Sequence, residues 1–270
     1  MGIAEDFTDS VTQDWHAALA ALAWQVDCGV DEVLAETPVN RYGLPDAAPV
    51  RAAPPLRAAA AAPQPVAPVE VDAVAVAREM AAAARTLDDL REALLRFDLC
   101  ELKKGARNTV FADGNPAARV LVLGEAPGRD EDIEGRPFVG EAGQLLDRMF
   151  AAIGLSRGSP DAEGALYITN VMAWRPPGNR DPDAAEIAMM RPFVERHIEL
   201  VDPQVVVVMG NTPLVALTGQ RGILRARGTW TTALGRPMLP MTHPAYLLRN
   251  PIAKREAWAD LLALQKRLRG

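Results

Sequence analysis

Four short apolar runs constrain this chain more than any other feature: Arg119-Val-Leu-Val-Leu123, Leu166-Tyr-Ile-Thr-Asn-Val-Met172, Gln204-Val-Val-Val-Val-Met209 and Pro237-Met-Leu-Pro-Met-Thr242. A strand that is apolar at consecutive positions has no solvent face, so both of its faces must be covered. Between and after the runs lie stretches with helical spacing, at 144–153 (closed by Gly154), 182–200, 212–217 and 254–268. This alternation predicts an α/β fold of three layers, α/β/α, around a central four-stranded parallel sheet. Ligands of such sheets gather at the carboxyl ends of the strands. The unusual residues Gly124-Glu125, Asn170, Gly210-Asn211 and His243 all stand at or just past the end of a run. Four strand ends converging on one mouth predict a site.

The main domain is expected to span 72–270, opened by a long helix over 72–96. Ahead of it, Trp15, Ala18, Leu19, Leu22, Ala23 and Val26 recur at helical spacing. They predict an amphipathic helix followed by a short second turn within an N-terminal segment, 1–38. Residues 39–71 are rich in Pro and Ala, a composition that buries no core and resists helix formation, and are read as a disordered linker. The N-terminal helix is either a tethered element for a protein partner or a dispensable extension.

The net charge of −6 argues at first against a nucleic-acid partner, but it is unevenly placed. Residues 1–96 carry 7 basic and 15 acidic side chains, a net of −8, whereas 97–270 are close to balanced at +2. Phosphate contact by the main domain is therefore permitted. No window approaches the roughly 18 uninterrupted apolar residues of a membrane helix, and the first residues lack the basic region of a signal peptide. A cytoplasmic monomer without membrane contact is expected. Cys28 and Cys100 are too few for a disulfide framework or for a metal site built on thiolates.

The densest chemical signal is Gly124-Glu-Ala-Pro-Gly128, continuing through Arg129-Asp-Glu-Asp-Ile-Glu-Gly-Arg-Pro-Phe-Val-Gly140. It is not a phosphate loop, because Gly-Lys-Ser/Thr and Gly-x-Gly-x-x-Gly are both missing. Asp130, Asp132 and Glu134 read as a solvated acidic loop. Glu125, on the first turn after a buried strand, reads as a working carboxylate. Phe138 in a loop reads, on its own, as a core plug. Asn170 ends a strand where an apolar residue is expected, which suits either a turn cap or a hydrogen-bonding role. His243, at a strand end and fixed by Pro244, is a better catalytic candidate than His16 or His197, which fall in helical segments. After it, Tyr246, Leu247 and Leu248 offer apolar groups able to wedge into a base stack, followed by a phosphate-ready Arg249.

At these residues the chain resembles family 4 of the uracil-DNA glycosylase superfamily. The likeness is carried by Gly124-Glu-Ala-Pro-Gly128, Gly135-Arg-Pro-Phe-Val-Gly140, Thr169-Asn170 with Arg175-Pro-Pro-Gly-Asn-Arg180, and His243-Pro-Ala-Tyr-Leu-Leu-Arg249, and spans a motif core of about 95–268. It implies an enzyme that hydrolyses the N-glycosidic bond of uracil in DNA and so initiates base excision repair. Implied in the uracil pocket are Gly124, Ala126, the stacking Phe138 and the edge-reading Asn170. Implied in catalysis are His243 near uracil O2 and the carboxylates Glu125 and Glu131, one of which positions water. Tyr246, Leu247 and Arg249 are implied in DNA binding.

Members of that family bind a four-iron, four-sulfur cluster through four cysteines. The matching positions here are Phe97, Cys100, Trp174 and Met190. One thiolate does not retain a cubane, so no cluster and no other metal is expected, and the three large apolar side chains are read as a plug in its volume. The main alternative is a catalytically weak accessory factor of replication or repair that keeps the fold and binds DNA. The lost ligands motivate it; the retained Glu125, Phe138, Asn170 and His243 argue against it. The branch that links covalently to DNA through a histidine carries Gln at the position of Ala126 and a basic insert ending in His, whereas 135–150 here contains no His. An unrelated nucleotide hydrolase would need a phosphate loop.

Overall fold

Successive side chains of a strand leave it on opposite faces, and in this computed structural model, which describes residues 15–28 and 72–270, both faces of the apolar runs are covered. The strands are β1 (Ala112–Gly114), β2 (Val120–Gly124), β3 (Leu166–Asn170), β4 (Val205–Met209), β5 (Thr231–Ala233) and β6 (Arg236–Met241). They form one sheet in the order β1-β3-β2-β4-β6-β5. The inner four strands are parallel, as the runs predicted. The two edge strands are antiparallel, so the sheet has six strands rather than four. At three residues each, β1 and β5 are too short to leave a periodicity, and β1 is the unpromising Ala-Asp-Gly.

The helices are α1 (Trp15–Asp27), α2 (Ala73–Ala83), α3 (Leu87–Arg96), α4 (Leu102–Gly105), α5 (Arg129–Glu134), α6 (Glu141–Ala151), α7 (Ala184–Val201), α8 (Asn211–Thr218), α9 (Ile223–Ala226), α10 (Pro244–Arg249) and α11 (Lys254–Arg269). On one face of the sheet, Leu121, Leu123, Tyr167, Val206 and Val208 pack with apolar residues of α2, α3, α7 and α8. On the other, Val120, Val122, Ile168, Val205 and Val207 pack with Leu146 and Phe150 of α6 and with Leu261 and Leu264 of α11. Each fully buried side chain of this size contributes about 1.5–3 kcal/mol, which gives the strand ends a stiff platform.

The single long helix expected over 72–96 is two helices. Thr86 restarts the chain: its hydroxyl accepts from the Asp89 N–H at 3.1 Å, and the Asp89 carboxylate accepts from the Thr86 N–H at 3.0 Å. This reciprocal cap satisfies two amides that an interrupted helix would leave unpaired. In α1, Leu19, Leu22, Trp24 and Val26 are exposed. The expected second turn after it and the Pro/Ala-rich stretch fall outside the described residues. Among the described residues, no helix is long and apolar enough to cross a membrane.

Candidate active site

The carboxyl ends of β2, β3, β4 and β6 open into a cleft of roughly 630 Å³. At the end of β2, Gly124 is paired in register with Asn170, the last residue of β3. A Cβ at Gly124 would collide with both the Asn170 Oδ1 and the Phe138 ring. The missing side chain is thus what lets the two meet. Asn170 is only 8 % exposed, and its Oδ1 is buried without a hydrogen-bond partner. Buried polar atoms are seldom left unpaired unless a ligand completes them.

Phe138 fills both roles that a loop phenylalanine can have. It belongs to the core beneath the sheet at 5 % exposure, and it also lines the cleft. Its ring stacks on the His243 imidazole, with centroids 5.4 Å apart and planes 27° apart. His243 caps α10: its Nδ1 accepts from the Ala245 N–H at 3.2 Å. Burial, helped by the Arg249 charge, pushes its pKa down to about 4. The ring is therefore neutral near pH 7, and with Nδ1 acting as acceptor the proton sits on Nε2.

Glu125 follows β2 directly. Its Oε1 accepts from the Thr212 N–H in the first turn of α8 at 3.1 Å, and burial pushes its pKa above the usual carboxylate range, against that hydrogen bond. Gly210, with φ 105, gives the carboxylate room, since a Cβ there would strike Oε1. Glu131 is employed differently. Its Oε1 accepts from the N–H groups of Val139 (3.0 Å) and Gly140 (3.1 Å), and its Oε2 from the Gly128 N–H (3.0 Å). Three backbone amides occupy it, so although it lines the cleft it is built as a loop anchor.

Ala126, Tyr246 and Arg249 also line the cleft, whereas Gly124 lies beneath it. Leu247 does not join them. It is fully buried on the opposite side of α10, against Leu145, Ala253 and Ala257, so the wedge expected there is not available at that residue. The reason is the helical turn itself, which points adjacent residues in different directions. Asp132 likewise departs from the solvated loop expected for it: it is 8 % exposed and accepts from the N–H groups of Arg107 (2.8 Å) and Asn108 (3.2 Å). Two residues carry no site role in the sequence analysis. Thr242, beside His243, has a buried hydroxyl without a partner. Arg157, in the loop before β3, grips the Phe138 turn. An arginine between Ser156 and Gly158 carries no periodic or motif signal.

Phe97, Cys100, Trp174 and Met190 are all buried, within the large core on one face of the sheet. Phe97 packs edge-on against Phe193 at 5.4 Å, and the Trp174 Nε1–H donates to the Thr109 hydroxyl at 3.0 Å. Burial raises the Cys100 pKa, which keeps it a thiol. One protonated sulfur among three apolar side chains does not match the donor set of an iron–sulfur cluster. Among the described residues there is also no group of three His, Cys, Asp or Glu able to hold a metal.

The sequence profile of the Uracil DNA glycosylase superfamily matches residues 111–262. The chain is 43 % identical over 186 residues to the type-4 uracil-DNA glycosylase of Archaeoglobus fulgidus, covering 65 % of this chain and 89 % of that one. It is 36 % identical over 193 residues to the type-4 enzyme of Saccharolobus solfataricus, covering 67 % and 86 %. To that of Thermotoga maritima it is 36 % identical over 167 residues, covering 61 % and 84 %.

Proposed function

The chain belongs to the uracil DNA glycosylase superfamily, and from that membership we propose that it hydrolyses the N-glycosidic bond of uracil in DNA, the opening step of base excision repair. The observation that carries this reading is the buried, unpartnered Oδ1 of Asn170 in a cleft shared with Phe138, His243 and Glu125. A base attacked by such an enzyme must leave the stack and enter a pocket that covers its face and reads its edge. Phe138 covers the face. The Asn170 amide accepts from uracil N3–H and donates to O4. Cytosine reverses both polarities and leaves buried groups unpaired, at about 1–3 kcal/mol each.

As the C1′–N1 bond breaks, its electron pair passes into the departing base and charge grows on O2. The neutral His243 donates Nε2–H to that oxygen, a fixed donor aimed where charge develops. Glu125, with one oxygen held by Thr212, presents the other to a water molecule. That water attacks C1′, and the carboxylate offsets the cationic sugar and takes the proton. Tyr246 and Arg249 also line the cleft, and in this reading they contact the DNA strand that delivers the base.

The same reading has the protein working without an iron–sulfur cluster. Phe97, Trp174 and Met190, all buried, stand at the matching ligand positions as apolar packing, and Glu125, Phe138, Asn170 and His243 need no thiolate. The test is incubation of purified protein with a uracil-containing oligonucleotide, followed by alkaline cleavage of abasic sites. A cut at the uracil position is expected. An intact strand, where a control glycosylase cuts, refutes the reading.

A further inference from the structure

The ring assigned to the base rests on a backbone that needs outside support. Phe138 has φ 54, in the left-handed region that bulky residues avoid. We propose that Arg157 is a positioning residue for uracil excision, holding Phe138 in this conformation so that its ring meets the base. The proposal rests on the glycosylase reading above and adds to it a residue that does not line the cleft.

Arg157 donates from Nη1 to the Pro137 carbonyl at 2.8 Å and from Nη2 to the Phe138 carbonyl at 2.9 Å, the two carbonyls on either side of the strained residue. The guanidinium is itself fixed by Asp113 on β1 at 3.0 Å and Asp147 on α6 at 2.9 Å, and the side chain is 14 % exposed. A planar fork with five donors can hold two successive carbonyls and two carboxylates at once, which an ammonium on a flexible stem cannot. The N–H groups of the next two residues are gripped by the opposite charge, because Glu131 accepts from the Val139 and Gly140 amides. Gly143 completes the clamp: a Cβ there would strike the Phe138 carbonyl. The turn is thus held by a cation on its carbonyls, a carboxylate on its amides and a glycine beneath it. Removing the cation frees Phe138 to relax toward ordinary backbone angles and carries the ring off the base.

The test compares Arg157→Met, which keeps the apolar stem, with Phe138→Leu and with the double variant. Single-turnover uracil excision by Arg157→Met is expected to fall roughly tenfold or more, as displaced catalytic geometry does. Its affinity for the oligonucleotide should hold within about twofold, because the residue touches no DNA. Amide exchange at Val139 and Gly140 should quicken. If Arg157 acts through Phe138, the double variant is no slower than Phe138→Leu beyond about threefold; losses that multiply overturn the proposal. Arg157→Lys, the milder change, should fall between wild type and Arg157→Met, and a wild-type rate there also overturns it. If the wild-type protein excises no uracil, it is the glycosylase reading that fails. Amide exchange then judges the clamp alone, and unchanged exchange in Arg157→Met sinks it.

Discussion

Gly124 and Asn170 face each other across the β2–β3 ladder, and the hydrogen atom that Gly124 carries in place of a side chain is what admits the Asn170 amide and the Phe138 ring to one spot. The first motif of the chain therefore acts through what it omits. Gly124→Ala should push both side chains out of place, lowering uracil excision by about 100-fold while reducing stability by about 1–3 kcal/mol through overpacking. Single-turnover rates and urea midpoints measure the two effects. A full-rate alanine variant would contradict this account of the pocket.

Glu125 combines a raised pKa with an exposed task. Excision should fall as the pH drops through that raised pKa, above the usual glutamate range, because the carboxylate must be ionised to orient water. Glu125→Gln should remove this acid limb along with about 10²–10⁴ of the rate. Its stability should move the other way. Folding raises the pKa of this acid, so the wild-type protein loses stability as the pH rises through the folded pKa, and a neutral glutamine avoids that loss. Thermal melts should find the variant more stable near neutrality, with the gap closing at acid pH.

His243 is expected to stay neutral where ordinary histidines titrate. With its pKa pushed down to about 4 by burial, ring nitrogen NMR should report the Nε2–H tautomer from pH ~8 down to ~5, while a free imidazole changes state near pH ~6.5. An imidazolium signal at pH ~6.5 would remove the neutral donor from the mechanism.

Asn170→Asp tests the edge reader. An aspartate still accepts from uracil N3–H but no longer donates to O4, and it can accept from the cytosine amino group. Uracil excision should fall by roughly 10–100-fold, the value of one or two buried hydrogen bonds, and the preference for uracil over cytosine should narrow. Competition between matched oligonucleotides reads the ratio.

The buried apolar side chains of Phe97, Trp174 and Met190 give two further expectations. Anaerobically purified protein should lack the broad absorbance near ~400 nm of an iron–sulfur centre. Trp174→Ala should cost about 3–5 kcal/mol, the penalty of a large buried void, and denaturant titration measures it.

Much of this is legible in the amino-acid sequence. The four apolar runs announced the inner sheet, because a strand without a polar face can only be a covered one. The unusual residues at their ends announced the mouth. Glu125, Phe138, Asn170 and His243 do share one cleft. What escaped had a common cause. The edge strands were too short to show a period, the break at Thr86 was hidden inside an Ala/Leu-rich stretch, and Leu247 looked like a neighbour of Tyr246 although one step along a helix turns a side chain to another face.

Composition and periodicity alone thus determined the layered architecture and the end of the sheet at which chemistry gathers, since both follow from which side chains tolerate water. The tertiary structure decided which groups each carboxylate of the first motif bonds to. Glu125 and Glu131 are six positions apart, chemically identical and both on the cleft, yet Glu125 accepts from an amide of a distant helix whereas Glu131 accepts from three amides of its own loop. It also decided that Arg157, some twenty positions from Phe138, governs that residue's backbone. Hydrogen bonds between segments distant in sequence depend on where the fold brings them, and no local pattern encodes that meeting.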